Sequence, residues 1–196
     1  DADQILNLTA DELLKGLDAR RVSIVTFERG QAFWKVSSPR VRVTLPHPLP
    51  DSPIFNRLRE SLGIFTTNNA RNEPDLALLA EMLGEGVSGL IVLPLISGQN
   101  LSALVFVQTT NEIRFDSSEL EVARTISNQA TVGLENARLF QLSVRTAERF
   151  AILNETSSQV SSSLDPEEVY TSVRAAADRL VPMESFVITL LDKKKN

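Results

Sequence analysis

The most informative absence in this 196-residue chain is cysteine, which does not occur at all. Its absence excludes disulfides, thiolate nucleophiles and zinc sites with cysteine ligands. Histidine is almost absent too, because His47 is the only one. Since a nucleophile and its base cannot be paired from one histidine and no cysteine, we expect no catalytic residues and no metal site.

The chain also lacks basic clusters and long apolar runs. Its formal net charge is −5, and the one lysine run is Lys193–Lys195, so we expect no nucleic-acid partner. The longest apolar run, Gly89–Ile96, is interrupted by Pro94 and is far shorter than the roughly 20 residues that span a bilayer. We therefore expect no membrane contact in this segment and a cytoplasmic location. With no initiator Met and no signal peptide, the sequence reads as a piece of a longer protein.

Alternating apolar residues predict a set of strands. A hairpin is expected where two β-rich segments flank Glu28–Gln31, and a second hairpin where two strongly apolar segments flank Ser97–Asn100. The predicted strands are Arg21–Glu28, Ala32–Ser37, Val41–Leu45, Ile64–Thr67, Gly89–Ile96, Leu101–Thr109 and Ser185–Leu191.

Helical spacing predicts three short helical regions in the first half of the chain. The first covers Asp3–Asp18 as a helix or a helix pair, with Thr9 as a possible N-cap. The second follows a loop with four prolines and ends at Ser61, with Asp51 or Ser52 as its cap. The third covers Leu76–Leu83.

A long helix is predicted after Asp116, which can cap it together with Glu119. No proline occurs from there to about Ser157, where a serine-rich stretch begins. A seam with 3-4 spacing runs along this helix, and we expect it to pair two copies in a parallel homodimer. Its small early residues could instead pack on the domain's own sheet. The seam comprises Ala123, Ile126, Ala130, Gly133, Ala137, Phe140, Val144, Ala147 and Ala151.

The C-terminal part repeats the order of elements near the N-terminus. The segment Leu17–Phe27 aligns with Leu180–Leu190, and each copy combines a helix, a short link and a strand. A further helix is expected to begin at Asp165 and Pro166. The repeat indicates that a second copy of the same domain begins near the C-terminus.

The order of elements predicts an α+β fold with a central antiparallel sheet, helices on one face, and a long helix that follows. At this point the sequence resembles the GAF domain family. The segment Arg21–Glu28 looks like its first strand, and Gly86–Thr110 looks like its late hairpin, with Ser88 and Pro94 in place. Ser102 lies near the position where the family usually has a glycine.

The resemblance continues through most of the remaining chain. Phe115–Phe140 looks like the closing helix of a GAF domain, and Ile152–Tyr170 looks like the leader of a second one. The resemblance implies a GAF domain in residues 1–140, a connecting helix and serine-rich link in 141–163, and the start of a second GAF domain in 164–196. It also implies a sensory module that binds a small molecule and signals through the long helix. The alternative is a ligand-free dimerisation spacer.

The resemblance also bears on cofactors and on the parent protein. GAF domains that attach bilins, and those that reduce methionine sulfoxide, use cysteine, which is absent here. The family's cyclic-nucleotide motif has Asn-Lys, Phe and Asp-Glu, whereas this chain has Asn111-Glu112, Phe115 and Glu119-Leu120. These departures argue against a cyclic nucleotide and leave the cofactor unknown. By family analogy, the parent protein carries an output domain such as a histidine kinase or cyclase.

The resemblance places several residues around the usual GAF pocket. An aromatic side chain could stack on a planar ligand there, and polar residues could orient it. The simpler interpretation is that the aromatics belong to the core and that Asn68–Asn72 is a solvated loop. The candidates are Phe33, Trp34, Thr66, Thr67, Asn68, Asn69 and Arg71.

Other polar residues receive simpler interpretations. His47 lies in a proline-rich loop without metal-binding neighbours, so we expect a structural or surface role. Asp75, Glu81 and Glu85 have no opposed carboxylate in the sequence pattern, and we interpret them as solubilising charges.

Overall fold

The structure is a computed structural model that describes residues 2–41, 47–98, 100–110, 115–162, 165–181 and 185–189. The chain divides into two compact units, Asp1–Arg138 and Leu139–Asn196. The first unit contains the whole sheet, so the fold and the candidate site are described there first.

A five-stranded antiparallel sheet forms the centre of the first unit, with the strand order β2-β1-β5-β4-β3. Strands β4 and β5 are adjacent apolar segments joined by a tight turn in which Gly98 has a φ of 64°. Glycine adopts this conformation without a steric penalty. The strands are β1 Arg21–Glu28, β2 Gln31–Ser38, β3 Phe65–Thr67, β4 Gly89–Ser97 and β5 Asn100–Thr109.

Helices cover both faces of this sheet. The helices are α1 Ala2–Gly16, α2 Pro53–Ser61, α3 Ala80–Leu83, α4 Ser117–Ser162 and α5 Pro166–Leu180, and 3-10 segments cover Ala70–Asn72 and Pro74–Leu79. The predicted α+β class, with a central antiparallel sheet and a long helix after it, is confirmed. The sequence predicts helices on one face only, whereas in the structure α1 and α4 cover one face and α2, α3 and the 3-10 segments cover the other.

Two hydrophobic cores result from this arrangement, one on each face. Alternate residues of β4 point to opposite faces, so Val92 lies in one core and Leu93 in the other. The first core packs under α2, α3 and the 3-10 segments. The second packs under α1 and the first part of α4, where Ala123 and Ala130 are buried.

The start of α4 shows why the sequence specifies its position. The backbone N–H of Asp116 donates to Glu119 Oε2 at 2.9 Å, and the N–H of Glu119 donates to Asp116 Oδ1 at 2.8 Å. This reciprocal capping box satisfies donors that a helix N-terminus otherwise leaves free. The predicted cap at Asp116 is confirmed, and so is the one at Asp165, whose carboxylate accepts from the N–H of Glu167.

The structure corrects two predictions about local structure. Thr9 does not cap a second helix, because α1 is continuous and the Thr9 hydroxyl donates to the Ile5 carbonyl one turn earlier. The predicted strand Ser185–Leu191 is wrong over its described part, because Ser185–Thr189 forms no strand. A strand needs a neighbour that exchanges backbone hydrogen bonds, and the described part of the second unit is otherwise helical.

Some predicted elements lie partly outside the described residues, and others differ from the structure in extent or in capping. The predicted strand Val41–Leu45 lies, beyond Val41, outside the described residues, as do Asn111, Glu112 and the lysine run. The helix α4 continues to Ser162 through the serine-rich stretch. At α2, the hydroxyl of Ser52 donates to the Asp75 carbonyl and makes no capping bond.

Candidate functional site

An open cleft of about 620 Å³ lies in the first unit, on the face of the sheet that carries the short helical segments. We call it the helical cleft. Its wall is formed by aliphatic side chains, several of which also belong to the first core. The apolar lining residues are Ala70, Leu76, Ala77, Ala80, Leu83 and Val87.

Three charged residues complete the lining of the helical cleft, namely Arg71, Glu81 and Glu85. All three are exposed. Within the described part of the chain, none of them forms an ion pair. An aliphatic wall with a few charged groups at an open rim is typical of a small-molecule site, and the volume lies within the usual range.

The turn that carries Arg71 is held by hydrogen bonds on both sides. The N–H of Asn69 donates to Thr67 Oγ1 at 3.1 Å, and Asn72 Nδ2 donates to Asn69 Oδ1 at 2.9 Å. The N–H of Ala70 donates to the Ser88 carbonyl at 2.9 Å, which ties the turn to the start of β4. Arg71 therefore projects from a fixed backbone.

A glycine turn also borders the cleft. Gly84 and Gly86 have φ values of 73° and 76°, a region that other residues rarely adopt. The guanidinium groups of Arg21 and Arg20 lie against them, so that a Cβ on either glycine would be only 2.7 Å from a guanidinium nitrogen. The backbone conformation therefore favours glycine at both positions, and a Cβ there would also require the end of an arginine side chain to move.

Arg21 connects this turn to the sheet. Its Nη1 donates a long hydrogen bond of 3.5 Å to the Met82 carbonyl at the end of α3. Burial, and secondarily the neighbouring charge of Arg20, lower the pKa of Arg21. Because Arg21 belongs to β1 and Met82 to α3, this contact joins the wall of the cleft to the central strands.

The structure brings three of the seven sequence-predicted pocket residues together and separates the others. Arg71 lines the helical cleft, and Thr67 and Asn69 hold its turn. Thr66 and Asn68 are exposed and do not line it.

The two aromatic candidates lie elsewhere. Phe33 makes an edge contact with His47, with ring centroids 4.9 Å apart. Trp34 packs against the first core, and its indole N–H donates to the Val36 carbonyl at 2.8 Å. Trp34 also borders a smaller, more polar groove of about 390 Å³ beside Asn7 and Arg40.

Sequence reasoning missed the aliphatic residues of the cleft and treated Glu81 and Glu85 as surface charges. Leu76, Ala80 and Leu83 recur at helical spacing, which the sequence does show. The same spacing also describes a helix face packed in a core, so the pattern alone did not reveal a cleft.

The long helix α4 packs on the opposite face of the same sheet. Ala123 and Ala130 are buried there, and a Cβ on Gly133 would be 3.5 Å from the Ile5 side chain of α1. The early part of the predicted seam therefore packs within the chain, as the smallness of these residues allows. Ala137, two turns before Val144, is half-buried.

The later seam residues are exposed. Phe140 is 71% exposed and Val144 is 40% exposed, and Ala147 is exposed as well. Single exposed apolar residues are common in proteins, but several of them grouped on one helix surface are typical of a site that associates with another surface.

A polar contact ties the end of β4 to α4. The hydroxyl of Ser97 donates to Glu135 Oε2, and Arg138 donates two hydrogen bonds to the same carboxylate, at 2.7 Å and 3.0 Å. These bonds, chiefly those from Arg138, lower the pKa of Glu135 to about 2. We call this group the hairpin latch, since Ser97 ends the strand that enters the β4–β5 turn.

No group of three or more histidine or acidic side chains is arranged to hold a metal ion in the described part of the chain. Among the helices of these residues, none combines the length and the apolarity that crossing a membrane requires.

Comparison with known proteins identifies the fold. The chain is similar to a GAF domain/HD domain protein from Geobacter sulfurreducens, with 16% identity and a TM-score of 0.60 over 71% of this chain and 96% of that one. It is also similar to the blue-light absorbing form of the PixJ GAF domain from Thermosynechococcus elongatus, with 16% identity and a TM-score of 0.59 over 74% and 92% of the two chains.

A third structure is a domain of a putative two-component sensor histidine kinase from Sinorhizobium meliloti, with 20% identity and a TM-score of 0.51 over 67% of this chain and 88% of that one. No curated protein matches the sequence. The family description for the GAF domain matches residues 1–135, which is more than half of the chain. The chain therefore belongs to the GAF domain family.

Proposed function

We propose that this GAF domain is a regulatory binding module of a signalling protein and has no catalytic role of its own. A small molecule occupies the helical cleft, and the change is passed through the sheet to α4. The similar sensor histidine kinase and light-absorbing GAF domains support a role in signalling. We further propose that the parent protein works in the cytoplasm, carries a kinase or cyclase output domain, and continues with a second GAF domain.

The observation that carries this proposal is the position of strand β4 between the cleft and the helix. Leu90 and Val92 belong to the first core, which also contains the cleft residues Leu76 and Leu83. Leu93, on the opposite face of the same strand, belongs to the core that α4 covers. Since protein interiors are close-packed, a displacement of the cleft wall changes the packing under α4.

The hairpin latch offers a second route for the same change. Ser97 holds Glu135 at the end of β4, and Arg138 is the last residue of the first compact unit. A small movement of β4 along its own direction would strain or break this contact. The helix then has two arrangements, latched and released, and a ligand favours the one that it binds more tightly.

Filling the cleft with a side chain tests this relay without any knowledge of the ligand. Ala80→Trp places an indole in the cleft from an exposed position of α3, and Leu78→Trp places the same indole on the preceding 3-10 segment, at an exposed position that does not line the cleft. We expect Ala80→Trp, and not Leu78→Trp, to change amide hydrogen exchange in residues 123–138 of α4. Unchanged exchange in a folded Ala80→Trp variant would falsify the relay.

A ligand-free dimerisation spacer is the second candidate function. It is favoured by the exposed apolar residues in the later part of α4, including Phe140, Phe150 and Leu153. Mass spectrometry of the natively purified protein separates the two candidates. A small molecule that co-purifies, and whose removal lowers the melting temperature, supports the binding module. A protein that purifies without a ligand, and whose amide exchange in α4 is the same as that of Ala80→Trp, supports the spacer.

A further inference from the structure

The charges around the helical cleft have both signs, and this limits the ligands that can bind there. One arginine, Arg71, and two glutamates, Glu81 and Glu85, border an aliphatic wall. From this arrangement we infer that the cleft binds an apolar zwitterion, such as an amino acid with a hydrophobic side chain. The inference names the ligand class for the site of the proposed function and rests on it.

The wall of the cleft determines the body of the ligand. Leu76, Leu83 and Val87 are buried residues of the first core whose surfaces border the cleft. Ala77 and Ala80 also line the cleft, and their small side chains leave room for a ligand. An aliphatic or aromatic group placed here removes apolar surface from water, which is the main source of affinity in such a site.

Arg71 supplies the group that binds a carboxylate. Its guanidinium can donate two parallel hydrogen bonds to the two oxygens of one carboxylate. The turn that carries it is fixed by the bonds of Thr67, Asn69 and Asn72, so the backbone needs no ordering when a ligand binds. No carboxylate of the described residues pairs with Arg71.

Glu81 and Glu85 supply the complementary attraction for an ammonium group. They are four residues apart, on α3 and on the glycine turn that follows it, and both are exposed at the cleft. With one cation and two anions, the lining repels phosphates and other multiply charged anions. A ligand with one carboxylate and one ammonium satisfies both sides of the rim.

Matched ligands that share one apolar body test this inference directly. L-phenylalanine has both charged groups, 3-phenylpropionate has only the carboxylate, and 2-phenylethylamine has only the ammonium. Calorimetric titration of the full chain should show L-phenylalanine binding about tenfold or more tightly than either analogue, since each charged contact contributes about that factor. L-phenylalanyl-L-alanine distinguishes a short peptide from a free amino acid as the source of the zwitterion.

Protein variants identify which residues bind the carboxylate and which bind the ammonium group of the ligand. Arg71→Gln should weaken L-phenylalanine about tenfold or more but should not weaken 2-phenylethylamine, whose ammonium group Arg71 repels. The double variant Glu81→Gln with Glu85→Gln should weaken L-phenylalanine similarly but should not weaken 3-phenylpropionate, whose carboxylate the two glutamates repel. Arg124→Gln and Glu121→Gln remove one charge of each sign at exposed positions of α4, away from the cleft, and serve as controls.

The outcomes separate this inference from the relay. If L-phenylalanine and its dipeptide bind no more tightly than the single-charge analogues, or if Arg71→Gln affects all probes equally, the zwitterion assignment is overturned. If that happens while Ala80→Trp still changes exchange in α4, the relay stands with another ligand class. If L-phenylalanine binds as expected but leaves α4 exchange unchanged, the site stands and the relay fails.

Discussion

At the scale of single residues, the glycine turn that borders the helical cleft is constrained by its backbone. Gly84 and Gly30 both have positive φ values, 73° and 83°, and Gly84 combines this with a ψ of 179°, a region that is essentially restricted to glycine. Their surroundings differ too, because a Cβ on Gly84 would be 2.7 Å from Arg21 Nη1 and a Cβ on Gly30 would have no neighbour within 4 Å. Removal of the Arg21 side chain therefore separates backbone strain at Gly84 from contact with Arg21.

We expect Gly84→Ala to destabilise the domain by more than Gly30→Ala. Each replacement strains a backbone with positive φ by about 1 kcal/mol or more, and the strain is larger at Gly84 because its ψ of 179° lies in a region that is essentially restricted to glycine. Gly84→Ala also displaces the end of the flexible Arg21 side chain and its long bond to Met82, which adds a smaller loss. Urea unfolding of both variants measures the difference, and adding Arg21→Ala to each should remove only the part of the Gly84→Ala loss that comes from Arg21. A loss no larger for Gly84→Ala than for Gly30→Ala would show that the backbone of Gly84 carries no extra strain.

The residues of the site were only partly predictable from the sequence. Arg71 was among the predicted pocket residues because it falls in the polar stretch that the family resemblance marks. Ala77 and Ala80 carry no such signal, since small residues on a helix are equally consistent with solvent, a core or a partner. Whether they border a cleft depends on how the helical segments pack on the sheet, which is a tertiary property.

At the scale of elements, the hairpin latch joins a strand to a helix through a carboxylate with a lowered pKa. The pKa of Glu135 is about 2 in the folded protein, with Arg138 as the main cause, whereas an unperturbed glutamate has a pKa of about 4.3. The ionised carboxylate therefore stabilises the folded state at pH values above the unfolded pKa. This contribution declines as the pH falls from about 4.3 through about 2.

We expect Glu135→Gln to lower the melting temperature near neutral pH and to lose this effect at low pH. The difference between the variant and the unmodified protein should shrink steadily between about pH 4.5 and pH 2, the window given by the two pKa values. Glu121→Gln, at an exposed position of the same helix, serves as the control. A difference that is independent of pH would mean that the charge of Glu135 does not hold the latch.

Elements differed in how clearly the sequence specified them. The hairpin of β4 and β5 and the cap at Asp116 were predictable, because buried apolar strands, a turn and a reciprocal capping pair are all local signals. The prediction of Thr9 as a cap is wrong because a threonine inside a helix can also donate its hydroxyl to a backbone carbonyl of the preceding turn. Ser185–Thr189 has the composition of a strand but forms no strand in the structure, since a strand also requires a neighbouring strand to pair with.

At the scale of the whole molecule, α4 changes character along its length. Its first part is a wall of the sheet domain, with Ala123 and Ala130 buried, whereas all described residues from Leu139 to Ala151 are exposed. The heptad spacing nevertheless continues through Phe140 and Val144. Because the same spacing serves an intrachain interface first and an uncovered surface later, the later part requires a different explanation from the earlier one.

A second copy of the chain is the surface that fits this exposed stretch best. In a parallel two-stranded coiled coil, Val144 and Phe140 occupy the two positions of the heptad that point at the partner helix. Burying these side chains contributes about 1.5–3 kcal/mol each, relative to leaving them in water. The interaction would also place two sheet domains on one signalling helix pair, so that a change at either hairpin latch acts on a shared structure.

We therefore expect the chain to form a parallel homodimer, and the double variant Phe140→Lys with Val144→Lys to be monomeric. The matched control is Leu139→Lys with Leu142→Lys, which makes the same change in charge on side chains that are 48% and 54% exposed. Leu139 and Leu142 lie outside the seam, so this control should remain dimeric. Sedimentation and light scattering across a concentration series measure both variants. An unmodified protein that is monomeric at high micromolar concentration, or a control that dissociates equally, would remove the seam as the dimer interface.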